Sequence, residues 1–333
     1  MLLVKHTENP TADWPESLQY APIVICPYNR YDALKQVIEA LKKNTLAAES
    51  ALFLFSDAPY IPQHTAAVQK VRDYLYTITG FKHVFVIERP TNYGPILNYD
   101  DAFQKILDRY DRYINIEDDI ITSPYFLQYM NDALECYKDN PEVMAISAYK
   151  PYKLEKLYSD VFFLQYFQPW GNAMWKKWRV AALSLNAAEV MAELQRKSLL
   201  KKFNIYSSCI ISNQRLLQMT IDKKINAKDV VISANILNQG KYVVFPVESM
   251  SNCIGLGDGV NSTVSTDAFN ATLADRRLSV HTEMVAENEM IIKKLHRWLL
   301  KAHLRLLAKY LFTLVPVRAF LKKFLKRLNC RNK

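Results

Sequence analysis

The chain has 333 residues, of which half are hydrophobic and 23% charged. That is the composition of a folded globular protein with room for one large α/β domain or two modest ones. Only 7 residues are glycine, and no G-x-G-x-x-G or G-x-x-x-x-G-K-[ST] pattern occurs, which argues against a dinucleotide fingerprint and a P-loop. The net charge of +10 is unevenly spread: 13 of the 43 Lys and Arg lie in 293–333, a stretch without Asp or Glu, so the other 30 are outnumbered by 33 acidic residues in the body. This asymmetry points to an anionic partner for the tail. A membrane surface is favoured over nucleic acid, because the body is acidic and carries no recognition motif.

The first 140 residues alternate strand and helix patterns. "PIVIC" (22–26) is a short apolar run of the kind a buried parallel strand shows, and Leu34, Val37, Ile38 and Leu41 follow at helical spacing. "ALFLFSD" (51–57) is a second strand, "AAVQKVRDYLY" (66–76) a helix and "HVFVIER" (83–89) a third strand. Phe103, Ile106, Leu107 and Tyr110 mark the next helix. "RYINIEDD" (112–119) is a fourth strand, and a helix follows from about Pro124 with Ser123 as its N-cap. Repeated βα units predict a mostly parallel sheet with helices on both faces.

Beyond residue 143 the pattern changes. "VMAISAY" and "VFFLQYFQ" read as strands, the aromatic "FQPWGNAMWKKWR" (167–179) follows, and helices run to about 220. "DVVISANILNQG" (229–240) reads as a helix ended by Gly240, "KYVVFPV" (241–247) as a strand and "SNCIGLGDGVNS" (251–262) as a loop. In 290–311, Ile291, Leu295, Trp298, Ala302 and Leu306 form one stripe and Lys294, Arg297, Lys301, Arg305 and Lys309 another, the composition of an interfacial membrane anchor; the alternative is a helix that packs on the body and leaves its charges solvated. Cys26, Cys136, Cys209, Cys253 and Cys330 are scattered, with no C-x-x-C pair, and read as reduced thiols of a cytosolic compartment. The polar N-terminus and the lack of an 18-residue apolar run predict neither a secretory signal nor a membrane span.

Ligands of open α/β sheets bind outside the carboxyl ends of the strands. Four consecutive strands here end in polar sequence: "CPYNR" (26–30), "FSDAPY" (55–60), "ERPTNYGPILNYDDAF" (88–103) and "EDD" (117–119). Three adjacent carboxylates are tolerable where a cation offsets them, and hard oxygen ligands suit Mg²⁺ or Mn²⁺.

The order "P-Y-N-R", "S-D", "R-P-x-N-x-G-x-x-x-N" and "E-D-D" resembles nucleotide-sugar glycosyltransferases of the GT-A fold. It is similar to bacterial transferases of surface-polysaccharide assembly, and more distantly to the N-acetylglucosaminyltransferase I group. The resemblance covers about 22–262. It implies a Rossmann-like, mostly parallel sheet, a nucleotide-sugar-binding half (21–150) after a polar segment (1–20), an acceptor-binding and catalytic half (151–285) and a basic amphipathic helical tail (286–333). It also implies roles. Pro27, Asn29 and Arg30 would lie along the nucleotide, and Asp57 would contact base or ribose. Arg89, Asn92, Gly94 and Asn98 would line the nucleotide and donor-sugar pocket. Asp118 would approach the ribose or sugar, Glu117 would face the donor sugar, and Asp119 would be the metal ligand.

"QPWGNAMWKKW" is similar to the family's acceptor segment, with Trp170, Gly171, Trp175 and Trp178 beside the acceptor. Asp229 stands where the family places its general base, although Lys228 replaces the aromatic residue common before it. Asn252, Gly255, Asp258 and Asn261 match a loop that closes over donor or metal. No histidine follows there before His281, so the second metal ligand stays unassigned. The implied activity is inverting transfer from a uridine-linked donor to a glycan or lipid-linked acceptor at the inner face of the cytoplasmic membrane, in lipopolysaccharide, capsule or glycoprotein assembly. The alternatives are a catalytically weak membrane adaptor of the same fold and a nucleotidyltransferase, whose Gly-rich loop "CPYNR" does not supply.

Overall fold

The computed structural model describes residues 2–6, 11, 13–150, 152, 159–208, 210–256 and 267–313. The first half comprises strand β1 (Leu2–His6), β2 (Ile23–Ile25), helix α1 (Tyr31–Lys42), β3 (Ala51–Ser56), α2 (Thr65–Leu75), β4 (His83–Glu88), α3 (Gly94–Arg109), β5 (Arg112–Asn115), β6 (Ile120–Thr122) and α4 (Phe126–Tyr137). The second comprises β7 (Val143–Ser147), β8 (Val161–Leu164), β9 (Asn172–Trp175), α5 (Lys176–Ala181), α6 (Ala187–Arg196), α7 (Leu200–Ile205), α8 (Asn213–Ile221), α9 (Lys228–Asn238), β10 (Tyr242–Pro246), β11 (Ser251–Cys253) and α10 (Glu289–Thr313).

Among the described residues, nine strands form one sheet in the order β1-β4-β3-β2-β5-β9-β7-β10-β8, and β6 pairs with β11 in a small second sheet. β1, β4, β3, β2 and β5 run parallel. β9 is antiparallel to both β5 and β7, so β7 and its parallel partner β10 run the same way as β5. This is the Rossmann-like α/β sheet expected of the GT-A class.

Alternation along each strand divides the core. Ile23, Ile25, Leu52, Leu54, Val84 and Val86 face α1, α2 and α4 on one side. Val24, Phe53, Phe55, Phe85 and Ile87 face α3, α9 and α10 on the other. Both faces are covered, which is why the central strands read as unbroken apolar runs. A third cluster packs α6, α7 and α8 onto α9.

The structure corrects several expectations. The segment 1–20 contributes β1 as an edge strand and Trp14 to the core, with its ring 4.7 Å from that of Phe53. The strand expected over 112–119 ends at Asn115, where the chain turns through the carboxylates into β6. α4 begins at Phe126 instead of Pro124, and Ser123 accepts the Tyr125 N–H through its hydroxyl at 3.2 Å. The expected boundary at residue 150 does not divide the sheet, because β9 lies between β5 and β7.

The tail is also attached. Ile291, Leu295, Leu299 and Ala302 are buried, and Trp298 packs 6.1 Å from Tyr152 and 5.6 Å from Phe269. The stripe expected to face a lipid surface is thus largely spent on the body over these turns. Among the described residues, no helix is long and apolar enough to cross a membrane.

Candidate functional site

β2, β3, β4, β5 and β7 end at one edge of the sheet, and there the polar motifs converge. Glu117, Asp118 and Asp119 form the tight turn between β5 and β6. The turn is closed by the Ile120 N–H donating to the Glu117 carbonyl at 3.1 Å. β11 then lies along β6, and the Ile254 N–H donates to the Asp119 carbonyl at 2.9 Å. Asp118 and Asp119 are only 6% and 7% exposed. Arg30 forks between them, one guanidinium nitrogen on Asp118 and another 2.7 Å from Asp119 Oδ2. Asp118 also accepts the Tyr28 N–H. Asp119 Oδ1 is buried and, among the described residues, has no hydrogen-bond partner.

Gly255 lies against this carboxylate. A Cβ at that position would stand 2.0 Å from Asp119 Oδ2 and 2.6 Å from its Cγ. No side chain fits without moving Asp119 or the strand pair beneath it. Gly255→Ala is therefore expected to lower stability by about 1–3 kcal/mol through overpacking. Thermal unfolding checks this, and a melting temperature equal to wild type would show that the loop has room.

Charge crowding sets the protonation of Glu117. Burial first, then Asp119, Asp118 and Asp229, push its carboxyl up to about 8, against the pull of Arg30. A carboxylate raised this far holds its proton longer in the folded chain than in the unfolded one. Its contribution to stability is full below the unfolded value and is lost as pH rises through about 8. In EDTA, Glu117→Gln should therefore melt above wild type at pH 9, and the gap should close toward pH 5. A pH-independent gap would mean that Glu117 does not titrate in this window.

Asp57, Arg89, Asn92 and Asn98 frame the neighbouring helix. The Asp57 carboxylate accepts the N–H groups of Ala58, Tyr93 and Gly94 at 2.8–2.9 Å, and Asn92 Nδ2 at 3.2 Å. It thereby caps the start of α3 from the adjacent strand. Arg89 is buried; its Nε donates to Asn98 Oδ1 at 2.8 Å and its Nη1 lies 2.5 Å from Asp101. Asn98 in turn donates to the Phe55 carbonyl at 2.9 Å. Pro27 is buried, with its carbonyl accepting the Asp57 N–H at 3.2 Å, and Asn29 is half-buried beside Arg30.

Asp229 sits in the first turn of α9 and is near enough to Glu117 to raise its pKa. Burial pushes the Asp229 carboxyl above the usual aspartate range, while the N–H groups of Asp229 and Val230 draw it down. A half-buried carboxylate with raised basicity at a helix start suits a proton acceptor. Lys228 explains the departure noted before Asp229. Its ammonium pairs with Asp100 of α3, and Arg179 donates to the same Asp100 oxygen at 3.0 Å. An ion-pair cluster thus ties α9 and α5 to α3 of the first half.

Two tryptophans leave the expected site. β9 is antiparallel to β5 with Asn172 opposite Asn115 and Trp175 opposite Arg112. Trp175 therefore stands at the far edge of the sheet, about 10 Å along the strand from Asn172. It is also 4% exposed in the core. Trp178 packs partly buried against the same core. Neither is placed to stack on a sugar at the carboxylate edge. Trp170 stays at that edge, 4.6 Å from the Tyr149 ring and 6.3 Å from Phe269. Gly171 beside it has φ +81°, and its Cβ would meet Ala148 and Phe126 at 3.2 Å.

Asn252 accepts the Ala271 N–H at 2.8 Å, fastening the chain that returns past the site. Asp258 and Asn261 lie outside the described residues. Sequence reading missed Tyr99, which stands close to Cys26 and the three carboxylates, and Tyr166, which feels the charge of Asp229. Their signal was present only as aromatic residues in segments already assigned to helix and strand.

Among the described residues, no three His, Cys, Asp or Glu side chains are grouped to hold a metal ion. The unpartnered Asp119 Oδ1 does fit a hard divalent cation that takes its remaining ligands from one neighbouring carboxylate, water and substrate phosphates.

No protein-family model matches the chain, and no curated protein matches it. Solved structures do. TarS of S. aureus aligns over 70% of this chain and 36% of its own, at 12% identity and a TM-score of 0.37. The mannosyltransferase PcManGT from Pyrobaculum calidifontis, solved in complex with GDP-Man and Mn2+, aligns over 68% of this chain and 73% of its own, at 9% identity and a TM-score of 0.36. This chain thus spans little more than a third of TarS.

Proposed function

We propose that the chain is a glycosyltransferase that moves a sugar from a nucleotide diphosphate, uridine-linked by the resemblance of its motifs, to a glycan or lipid-linked acceptor with inversion. The observation that carries this reading is the convergence of Asp229, from the second half of the chain, on the Glu117–Asp119 turn of the first, at the carboxyl edge of a parallel sheet.

In this reading the donor lies along the edge formed by Pro27, Asn29, Arg30 and the α3 start, with Asp118 and Glu117 toward ribose and sugar. Asp57, Arg89, Asn92, Gly94 and Asn98 set the shape of that wall. Asp229 takes the proton of the acceptor hydroxyl as its oxygen bonds to the anomeric carbon and the bond to the diphosphate breaks. Mn²⁺ or Mg²⁺ on Asp119 supplies, when bound, positive charge for the departing diphosphate. Trp170 and Gly171 form the acceptor side, and Asn252 and Gly255 border the donor.

Leu304 and Leu307, 49% and 42% exposed beside Lys301 and Arg305, form the surface that meets an anionic leaflet. The place of action is the inner face of the cytoplasmic membrane, in surface-polysaccharide or glycoconjugate assembly.

Nucleotide choice is tested by thermal unfolding with UDP, GDP, dTDP and CMP, each with and without Mn²⁺. One diphosphate should raise the melting temperature, and more so with the metal. No shift with any of them would favour the adaptor reading.

A further inference from the structure

Arg30 gives the carboxylate turn a cation of its own. Its two guanidinium nitrogens engage two different aspartates, Asp118 and Asp119, and these are the residues assigned to donor and metal. The partners differ in exposure: both carboxylates are about nine-tenths buried, whereas the Arg30 side chain is 28% exposed. Arg30 lies at the start of α1, on the loop after β2, and among the described residues no other acidic group pairs with it. The guanidinium is therefore the more movable member of the trio.

Two carboxylates, those of Asp118 and Asp119, share the single guanidinium of Arg30. Asp119 Oδ1 remains unpartnered and buried, so the turn retains an unused ligand atom. A divalent cation at that atom would stand next to the guanidinium and be repelled by it. With Arg30 swung onto an anion, the two aspartates match a divalent cation in charge.

We infer that Arg30 is an internal counter-ion that a divalent cation must displace, and that the donor diphosphate receives the freed guanidinium. Metal and donor thereby bind cooperatively: Arg30 suppresses metal binding to the empty turn and rewards it once a diphosphate is present. This rests on the transferase reading for the identity of the diphosphate, but the exchange of Arg30 for the metal stands on the ion pairs alone. Coupling of this kind is reciprocal, so the metal tightens donor binding by the same factor.

The test is Mn²⁺ affinity in the absence of nucleotide, measured by the loss of the free-ion electron paramagnetic resonance signal at pH 8. Arg30→Gln should bind Mn²⁺ about tenfold or more tightly than wild type, because one repelling charge at contact range is gone. Arg30→Lys keeps the charge and should stay near wild type. Affinity of Arg30→Gln equal to or below that of wild type would overturn the inference, as would the absence of Mn²⁺ binding in all three proteins.

A readout on the wild-type chain guards against a variant that folds poorly. In protein with ¹⁵N-labelled arginine, the Arg30 Nε–H resonance, assigned by its absence in Arg30→Lys, should shift on saturation with diamagnetic Mg²⁺. An unmoved resonance at saturating Mg²⁺ means that no displacement occurs. Donor turnover is scored separately. If every nucleotide sugar is left intact while the Mn²⁺ and resonance effects appear, the transferase reading fails and the exchange of Arg30 stands.

Discussion

Asp229→Asn is expected to lower the rate of sugar transfer by about 10³-fold, the loss typical of a missing general base. Donor affinity should be unchanged, because the proposed role of Asp229 is toward the acceptor hydroxyl. The amide keeps the size of the side chain and its place in the first turn of α9, so folding should be spared. The pH profile gives a second reading. Burial raises the carboxyl of Asp229. The wild-type rate should therefore climb with pH through a value above the ordinary aspartate range and then level. Asp229→Asn should lose that limb. Full activity in the variant would move the base elsewhere, and Glu117 is the carboxylate close enough to be examined next.

Asp119→Asn is expected to cost about 10²–10³-fold, since a divalent Lewis acid contributes several kcal/mol to charge stabilisation and each 1.4 kcal/mol is tenfold. The losses should also not add. EDTA should reduce wild type to the level of the variant and leave the variant where it was, because both remove the same cation. Asp119→Asn leaves Arg30 with Asp118 alone, so stability falls as well and must be measured beside activity. A variant that keeps its response to Mn²⁺ would place the metal on another residue.

The central strands were legible because both faces of the sheet are covered and each strand is an uninterrupted apolar run. The polar ends of those strands were legible because open α/β sheets bind ligands at that edge. What the sequence did not reveal depends on partners far away in the chain. β9 is four residues, Asn172–Trp175, whose place between β5 and β7 is fixed by hydrogen bonds and not by any pattern of its own. That placement sends Trp175 to the edge opposite the Glu117–Asp119 turn. The small β6–β11 sheet pairs Ser251–Cys253 with Ile120–Thr122, far apart in the chain, and it is what brings Gly255 onto Asp119.

The motif residues divide in a similar way. Asp57, Arg89 and Asn98 lie at the carboxyl edge of the sheet, and their polar atoms are engaged in capping and bracing α3. Lys228 looked like a departure from the family pattern, and only its pairing with Asp100 gives it a purpose. Amphipathic pattern read as a membrane anchor in α10 proved ambiguous. The same stripe that would enter a leaflet also packs on a core, and Ile291, Leu295 and Leu299 do so here.

The most direct test of the account is donor turnover. The full chain is incubated with UDP-, GDP-, dTDP- and CMP-sugars in Mn²⁺, without acceptor, and release of the nucleotide is measured beside Asp119→Ala and an EDTA control. Slow release from one donor, lost in both controls, is the result expected of a nucleotide sugar bound at the Glu117–Asp119 turn. Release that persists in EDTA and in Asp119→Ala would contradict the metal role of that turn, and no release from any donor would contradict the transferase reading itself.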